Sequence, residues 1–200
     1  MPKVSLRDRL LKQRQSLSLQ DCERLSLRAQ ENLLATPEFA AARRVALYSP
    51  IRNEVRTEQL FAAAKRARKQ VVFPRMQGDH LEFFPVASLD ELRRGTMGVL
   101  EPHGGIEVAL PDLDLMVLPG VGFDLQGHRL GYGRGFYDRV LGATPRRPLL
   151  VGLGFELQVV EQLPRESHDV QIDLMVSEVH VRRHLAGELT STNLSQKGRV

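Results

Sequence analysis

The sequence has one cysteine, no long apolar run and no complete nucleotide- or metal-binding signature, and each absence removes a class of protein. A lone thiol, Cys22, cannot close an internal disulfide, which excludes a disulfide-stapled secreted scaffold. Cys22 lies in a helical pattern with no histidine nearby and reads as a packing residue. No stretch approaches the roughly 20 apolar residues of a membrane helix, and the N-terminus lacks the apolar segment of a signal peptide. A cytoplasmic protein without a membrane partner is the expectation. The P-loop string is missing, and Phe136 stands where a dinucleotide fingerprint needs its third glycine. His180 and His184 are four apart but lack the glutamate of H-E-x-x-H and flank Arg182 and Arg183, so a zinc site is not expected. No nucleophile elbow or Ser-His-Asp order occurs. The 28 Lys and Arg against 24 Asp and Glu are spread along the chain, and the net charge of +4 is modest. Nucleic acid is therefore not an expected partner, whereas small anions suit the charge.

What is present is an ordinary globular composition, 42% hydrophobic and 26% charged over 200 residues, enough for one domain with a full core. Residues 3–16 read as a helix with Leu6, Leu10 and Leu11 on one face and Lys3, Arg7 and Arg14 elsewhere. Ser18 and Asp21 resemble a capping box that opens a helix to about Ala35, and Pro37 starts a short piece through Ala42. Strands are expected at Val45–Tyr48, Val71–Phe73 (stopped by Pro74), Leu81–Phe84, Leu115–Leu118, Leu149–Leu153 and Asp173–Ser177. Thr57 is placed to cap a helix through Lys69, and Ser88 with Glu91 a helical turn. Residues 95–112 read as loop, and Glu178 to about Ala186 as helix. Strands alternating with helices predict a single-domain, three-layer α/β/α sandwich over residues 1–186, with a mainly parallel central sheet. Residues 187–200 form a polar tail expected to lack fixed structure.

The chain is organised around Leu113–Leu141. A buried strand feeds a loop with Gly127, Gly131, Gly133 and Gly135, interleaved with Arg129 and Arg134, before a helical pattern resumes at Phe136. Such glycines leave backbone N–H groups free to close on a ligand, and guanidiniums add fixed charge, so the stretch reads as a polyphosphate cradle. The glycines alone equally mark a tight strand-to-helix connection. In open α/β sheets ligands bind beyond the carboxyl ends of strands, which directs attention to Ser49–Glu54, Pro74–Arg75, the glycine loop and the segment after Leu153.

Around the cradle each candidate has a plain alternative. Lys3 and Arg7 share a helical face and suit a solvated basic surface. Glu54 suits ordinary surface charge or the acceptor of a nitrogen-rich ring. Asp138 suits first-turn capping or a hard cation. Asp124 is expected to order its own loop, and His168 to be structural or solvated.

These segments together resemble the 5-formyltetrahydrofolate cyclo-ligase family, also called methenyltetrahydrofolate synthetase. The match is strongest at LPGVGFDLQGHRLGYGRGFYDR and continues at K-x-x-L-R (Lys3–Arg7), NEVRT (Asn53–Thr57), PR (Pro74–Arg75), GVLEP (Gly98–Pro102), GFELQ (Gly154–Gln158) and LPRESHD (Leu163–Asp169). The resemblance implies an ATP- and Mg²⁺-dependent ligase that cyclises 5-formyltetrahydrofolate to 5,10-methenyltetrahydrofolate through a phosphorylated formyl group, releasing ADP and phosphate. It implies ATP on Lys3, Arg7, Arg129, Leu130, Gly131, Tyr132, Gly133, Arg134, Gly135, Phe136 and Tyr137. It implies folate on Ser49, Glu54, Tyr132, Gly133, Arg134, Gly135 and Phe136, catalysis by Arg134 and Tyr137, and Mg²⁺ on Asp138 and Asp169. Where relatives read G-K-G-Y-Y-D, this chain has Arg134 and Phe136 in the cationic and first aromatic slots. Tyr48, Phe84 and Phe155 are further candidates for aromatic walls, with core packing the alternative. A monomer acting on ATP and a reduced folate is expected. A non-catalytic folate or nucleotide module, and a sugar-phosphate isomerase or CoA-transferase-like enzyme on a similar scaffold, are the competing readings.

Overall fold

A computed structural model describes residues 3–144, 146–166 and 169–184. Its centre is a sheet built from β1 (Arg44–Ala46), β2 (Gln70–Gln77), β3 (His80–Pro85), β6 (Leu115–Leu118), β9 (Leu149–Leu153), β11 (Leu174–Val176) and β12 (Val181–Arg183). The order is β12-β11-β9-β6-β1-β2-β3. The five inner strands run parallel, and the two edge strands, β3 and β12, run antiparallel.

The inner strands are apolar on both faces because helices cover both. Alternate residues divide between two cores. Val45, Leu115, Val117, Val151 and Leu174 pack with Ala29 and Leu33 of α2 (Leu19–Leu34), Phe39 of α3 (Pro37–Ala41) and Leu60 and Ala64 of α4 (Glu58–Arg66). Ala46, Met116, Leu118, Leu150 and Met175 pack on the other face with Leu141 of α5 (Phe136–Gly142). Three layers result, α/β/α, as the alternation of elements predicted. Cys22 is a buried core residue, as expected.

A second, small sheet has the order β10-β7-β8, from β10 (Val159–Val160), β7 (Gly122–Asp124) and β8 (Arg129–Leu130). Helix α1 (Lys3–Gln15) lies on it, with Leu6 and Leu10 packed against Val121, Leu130 and Leu163. This contact sets α1 across the carboxyl ends of the main sheet.

Several local expectations change. Residues 178–184 are not helical: β12 pairs antiparallel with β11, after a turn in which the Ser177 hydroxyl accepts the His180 N–H at 3.0 Å. Edge pairing and the Arg182–Glu156 and Arg183–Glu38 ion pairs outweigh a weak helical pattern; residues 185–186 lie outside the described residues. Thr57 does not cap α4; its hydroxyl donates to the Tyr48 carbonyl at 2.9 Å. Gln30 of α2 does that work, its Oε1 accepting from Gln59 N and Leu60 N at 3.0 and 3.2 Å. Pro74 does not stop β2, which runs to Gln77. Past Val72 the strand has a neighbour on one side only, where proline is tolerated. The 95–112 stretch contains a strand, β5 (Leu100–Glu101), which pairs with β4 (Arg93–Arg94). Gly95 permits that hairpin, since a Cβ there would lie 2.1 Å from the Glu101 carboxylate. The polar tail and His168 lie outside the described residues. Among the described residues no helix is long and apolar enough to cross a membrane.

Candidate active site

The carboxyl ends of β1, β2 and β6 open into a cleft of about 950 Å³, part of it open to solvent. Tyr48, Ser49, Ile51, Arg52 and Glu54 line one wall from the β1 exit. Met97, Val99 and Glu101 line another from the small hairpin, and Pro74, Met76 and Leu81 the floor between. The glycine loop closes the cleft with Arg129, Gly131, Tyr132, Arg134, Gly135, Phe136, Tyr137 and Asp138.

The loop's conformation depends on two glycines. Gly133 and Gly135 have φ of +94° and +63°, in the region that side chains disfavour, and Gly135 immediately precedes α5. A Cβ on Gly133 would sit 3.4 Å from the Arg7 guanidinium, whose Nε donates to the Gly131 carbonyl at 2.9 Å. The chain thus passes close under a fixed cation. Arg134 is exposed at the lip, and among the described residues its guanidinium has no hydrogen-bond or ion-pair partner. Two expected members of the cradle lie elsewhere. Gly127 turns the chain between β7 and β8 and packs against His184. The Leu130 side chain faces α1.

Glu54 is 4% exposed, and the sheet-end loop wraps it rather than presenting it as surface charge. The Tyr132 hydroxyl donates to its Oε1 at 2.8 Å, and Ile51 N–H to its Oε2 at 3.0 Å. Burial pushes the carboxyl above its ordinary range, and the nearby Arg14 guanidinium opposes that shift. Arg14, 3.9 Å from Glu54, is wholly buried. As read from the sequence, Arg14 lies off the face of Leu6, Leu10 and Leu11, but the structure buries it with Leu6 and Leu10. Its spacing of four from Leu10 and eight from Leu6 is the signal that sets it on the buried face. Glu101, the second residue missed, has a buried carboxylate near the Met76 and Thr96 N–H groups, its Oε1 without a hydrogen-bond partner among the described residues; desolvation raises its pKa and those N–H groups oppose the shift. Ser49 lines the cleft with its hydroxyl committed to the Leu100 carbonyl at 2.6 Å.

Asp138 lies beside the segment that carries Asp169. Arg129 Nη2 donates to Asp138 Oδ1 at 3.1 Å, and Val170 N–H approaches the same oxygen at 3.5 Å. The adjacent Asp169 takes Lys3 Nζ at 3.0 Å, and Glu166 lies 3.1 Å from the same ammonium. Desolvation opposes the Lys3 charge, but the bonds to Asp169 and Glu166 outweigh it and hold its pKa up. Lys3 and Arg7 are therefore not a solvated face. Among the described residues no group of three or more His, Cys, Asp or Glu is arranged to hold a metal. Asp124 orders its own loop, accepting from Gln126, His128 and Leu163 N–H. Of the aromatic candidates, Tyr48 lines the cleft, Phe155 is in the core, and Phe84 lies under the Arg75 guanidinium at 3.9 Å.

An α/β sheet whose strand exits surround a cationic, glycine-lined cleft with a buried carboxylate opposite defines a small-molecule site for an anionic and a hydrogen-bond-donating ligand. Residues 1–178 match the model of the 5-formyltetrahydrofolate cyclo-ligase family, and the chain belongs to that family. It is 30% identical over 189 residues to the 5-formyltetrahydrofolate cyclo-ligase of Mus musculus, covering 88% of this chain and 93% of that protein. With the cyclo-ligase of Escherichia coli K12 it shares 31% over 171 residues, 82% of this chain and 93% of that one. The NMR structure of Aquifex aeolicus 5,10-methenyltetrahydrofolate synthetase superposes with a TM-score of 0.85 at 37% identity, covering 98% of this chain and all of that one.

Proposed function

We propose that this chain catalyses the ATP-dependent cyclisation of 5-formyltetrahydrofolate to 5,10-methenyltetrahydrofolate, with release of ADP and phosphate. Family membership supports the reaction. The observation that carries it here is that one cleft joins a buried carboxylate, Glu54, to a glycine loop ringed by Arg7, Arg129 and Arg134. A formyl amide oxygen is a poor leaving group. Transfer of the γ-phosphoryl group to that oxygen releases ADP and makes the oxygen leave as phosphate. The N10 amine then attacks the formyl carbon; the C–N bond forms, the N10 proton is lost, and the C–O pair departs with phosphate.

The first step depends on positioning and charge. Arg134, Arg7 and Lys3 are assigned to the polyphosphate, with the amides from Gly131 to Tyr137 orienting the terminal phosphate toward the formyl oxygen. The second step is intramolecular, and holding the folate folded supplies much of its rate, about 7–11 kcal/mol at best. Glu54 is assigned to ring N–H groups, with Ser49, Tyr132 and Phe136 around them.

Asp138 and Asp169 fit Mg²⁺ in donor type: two carboxylates, one lining the cleft and the other next in sequence to Val170, whose N–H approaches it, suit a cation that takes its other ligands from phosphate and water. Bound there, Mg²⁺ would offset charge on the transferring phosphate. Their present partners, Arg129 and Lys3, are the cations it would join or displace. The reading further takes the chain as a cytoplasmic monomer, in keeping with its single buried free thiol.

Protein mixed with Mg-ATP and 5-formyltetrahydrofolate should form methenyl product, read by its absorbance, and one ADP per product. Binding of both ligands without product would support the non-catalytic module instead. Unchanged substrate with no binding would overturn the reading.

A further inference from the structure

Arg14 holds no ligand in the reaction just described, yet its guanidinium is 0% exposed. A buried cation persists only when its donors are used and an opposite charge is near. Here Nε donates to the Arg52 carbonyl at 3.1 Å, Nη1 to the Gly120 carbonyl at 2.9 Å, and Nη2 to the Tyr132 hydroxyl at 2.5 Å. These acceptors belong to the β1 exit, the β6 exit and the glycine loop. Packing alone would be met by another leucine in register with Leu6 and Leu10. The hydroxyl that accepts from Arg14 has one proton, and it points at Glu54 Oε1, 2.8 Å away.

We propose that Arg14 is a positioning residue, whose guanidinium orients the Tyr132 hydroxyl and with it fixes the ionised Glu54 carboxylate for the substrate ring, tying that subsite to the glycine loop. A fork of planar donors can hold two loops and a hydroxyl at once, which an ammonium cannot. The assignment rests on reading Glu54 as the acceptor for the ring.

The charged and titratable groups facing Glu54 are Arg14 from α1, Arg52 from its own loop, Tyr48 from the end of β1, Tyr132 from the glycine loop and Tyr137 from α5. Burial is the largest influence and raises the carboxyl; Arg14 is the largest opposing one. Ionised Glu54 is required for binding, so kcat/KM for the folate should fall on the acid side as Glu54 protonates. Removing Arg14, or the Tyr132 proton it aims, should move that limb to higher pH.

Three variants test this: Tyr132→Phe, Arg14→Lys and Arg14→Met. Steady-state kinetics over pH are measured on each, and the Glu54 side-chain carboxyl is titrated by ¹³C NMR in the ligand-free protein. Tyr132→Phe should raise KM for the folate about tenfold, the effect of losing one hydrogen bond to a charged group, while kcat changes far less. Its acid limb and its Glu54 titration should both move up. Arg14→Lys, which keeps the charge, should hold the limb near the wild-type position but still raise KM. Arg14→Met should shift the limb most; if it fails to fold, the other two variants decide. A Tyr132→Phe protein with wild-type KM, acid limb and Glu54 titration would overturn the assignment. A wild-type protein that does not turn over 5-formyltetrahydrofolate defeats the functional reading alone, since the ligand-free titration still reports whether Arg14 and Tyr132 govern Glu54.

Discussion

The two ends of the cleft are built differently. At the Glu54 end the buried carboxylate and its buried cation are both engaged before any ligand arrives: the carboxylate takes Tyr132 and Ile51, and Arg14 takes two carbonyls and a hydroxyl. At the loop end Arg134 stands exposed with no partner among the described residues, on a backbone held open by two left-handed glycines. A buried carboxylate fixed by two donors discriminates by shape and hydrogen bonding, because a misfit ring leaves its remaining lone pairs unmatched at high cost. A solvated guanidinium discriminates little in the ground state. It can follow charge as charge moves, which suits a phosphoryl transfer. The contrast assigns recognition to one end and charge stabilisation to the other.

The largest test of that division is Arg134→Ala. Turnover should drop about 10²–10³-fold, the usual consequence of losing one preorganised donor to a developing charge. The melting temperature should stay unchanged, since among the described residues none bonds to the guanidinium. Wild-type turnover in a steady-state assay would remove Arg134 from the catalytic set. Next is Asp138→Asn, which keeps the shape but lowers the affinity for a hard cation; half-maximal activity should need several-fold more Mg²⁺. Identical metal titrations for variant and wild type would show that Asp138 only anchors Arg129.

The smallest effect concerns a carboxylate away from the cleft. Glu156 opposes Glu54 in sign: desolvation acts on it too, but Arg182 and Ser177 outweigh it and hold its pKa down to about 2. A depressed folded-state value stabilises the protein above the ordinary carboxylate pKa, and that stability is lost as pH falls through about 2. Glu156→Gln should therefore cost about 1–2 kcal/mol near neutral pH and nothing at the acid end. A pH-independent difference in denaturant midpoints would show that the Arg182 pair is not the cause. Glu54, raised rather than lowered, should give no such acid-side loss.

Much of the architecture was readable along the chain. Short continuous apolar runs marked β1, β6, β9 and β11, because a strand covered on both faces must be apolar at successive positions. Ser18 and Asp21 opened α2 as their chemistry requires. The glycine loop was legible as a cation-bearing turn, though Gly127 and Leu130 within it serve the small sheet and α1. The β12 edge strand was not legible. Edge strands draw their stability from a neighbour distant in sequence, and local propensity outvotes them. Arg14 was missed because a charged residue is assumed to face water until its acceptors, 38 to 118 residues away, are known.

The order of residues alone determined the layered α/β class and the glycine-and-arginine stretch, since these depend on period, backbone freedom and local charge; the family was legible only through the likeness of its motifs. The tertiary structure decided which cations are buried, which carboxylates meet and which loop closes on which. Those are long-range pairings, and their energies exist only once desolvation has made each unpaired charge expensive.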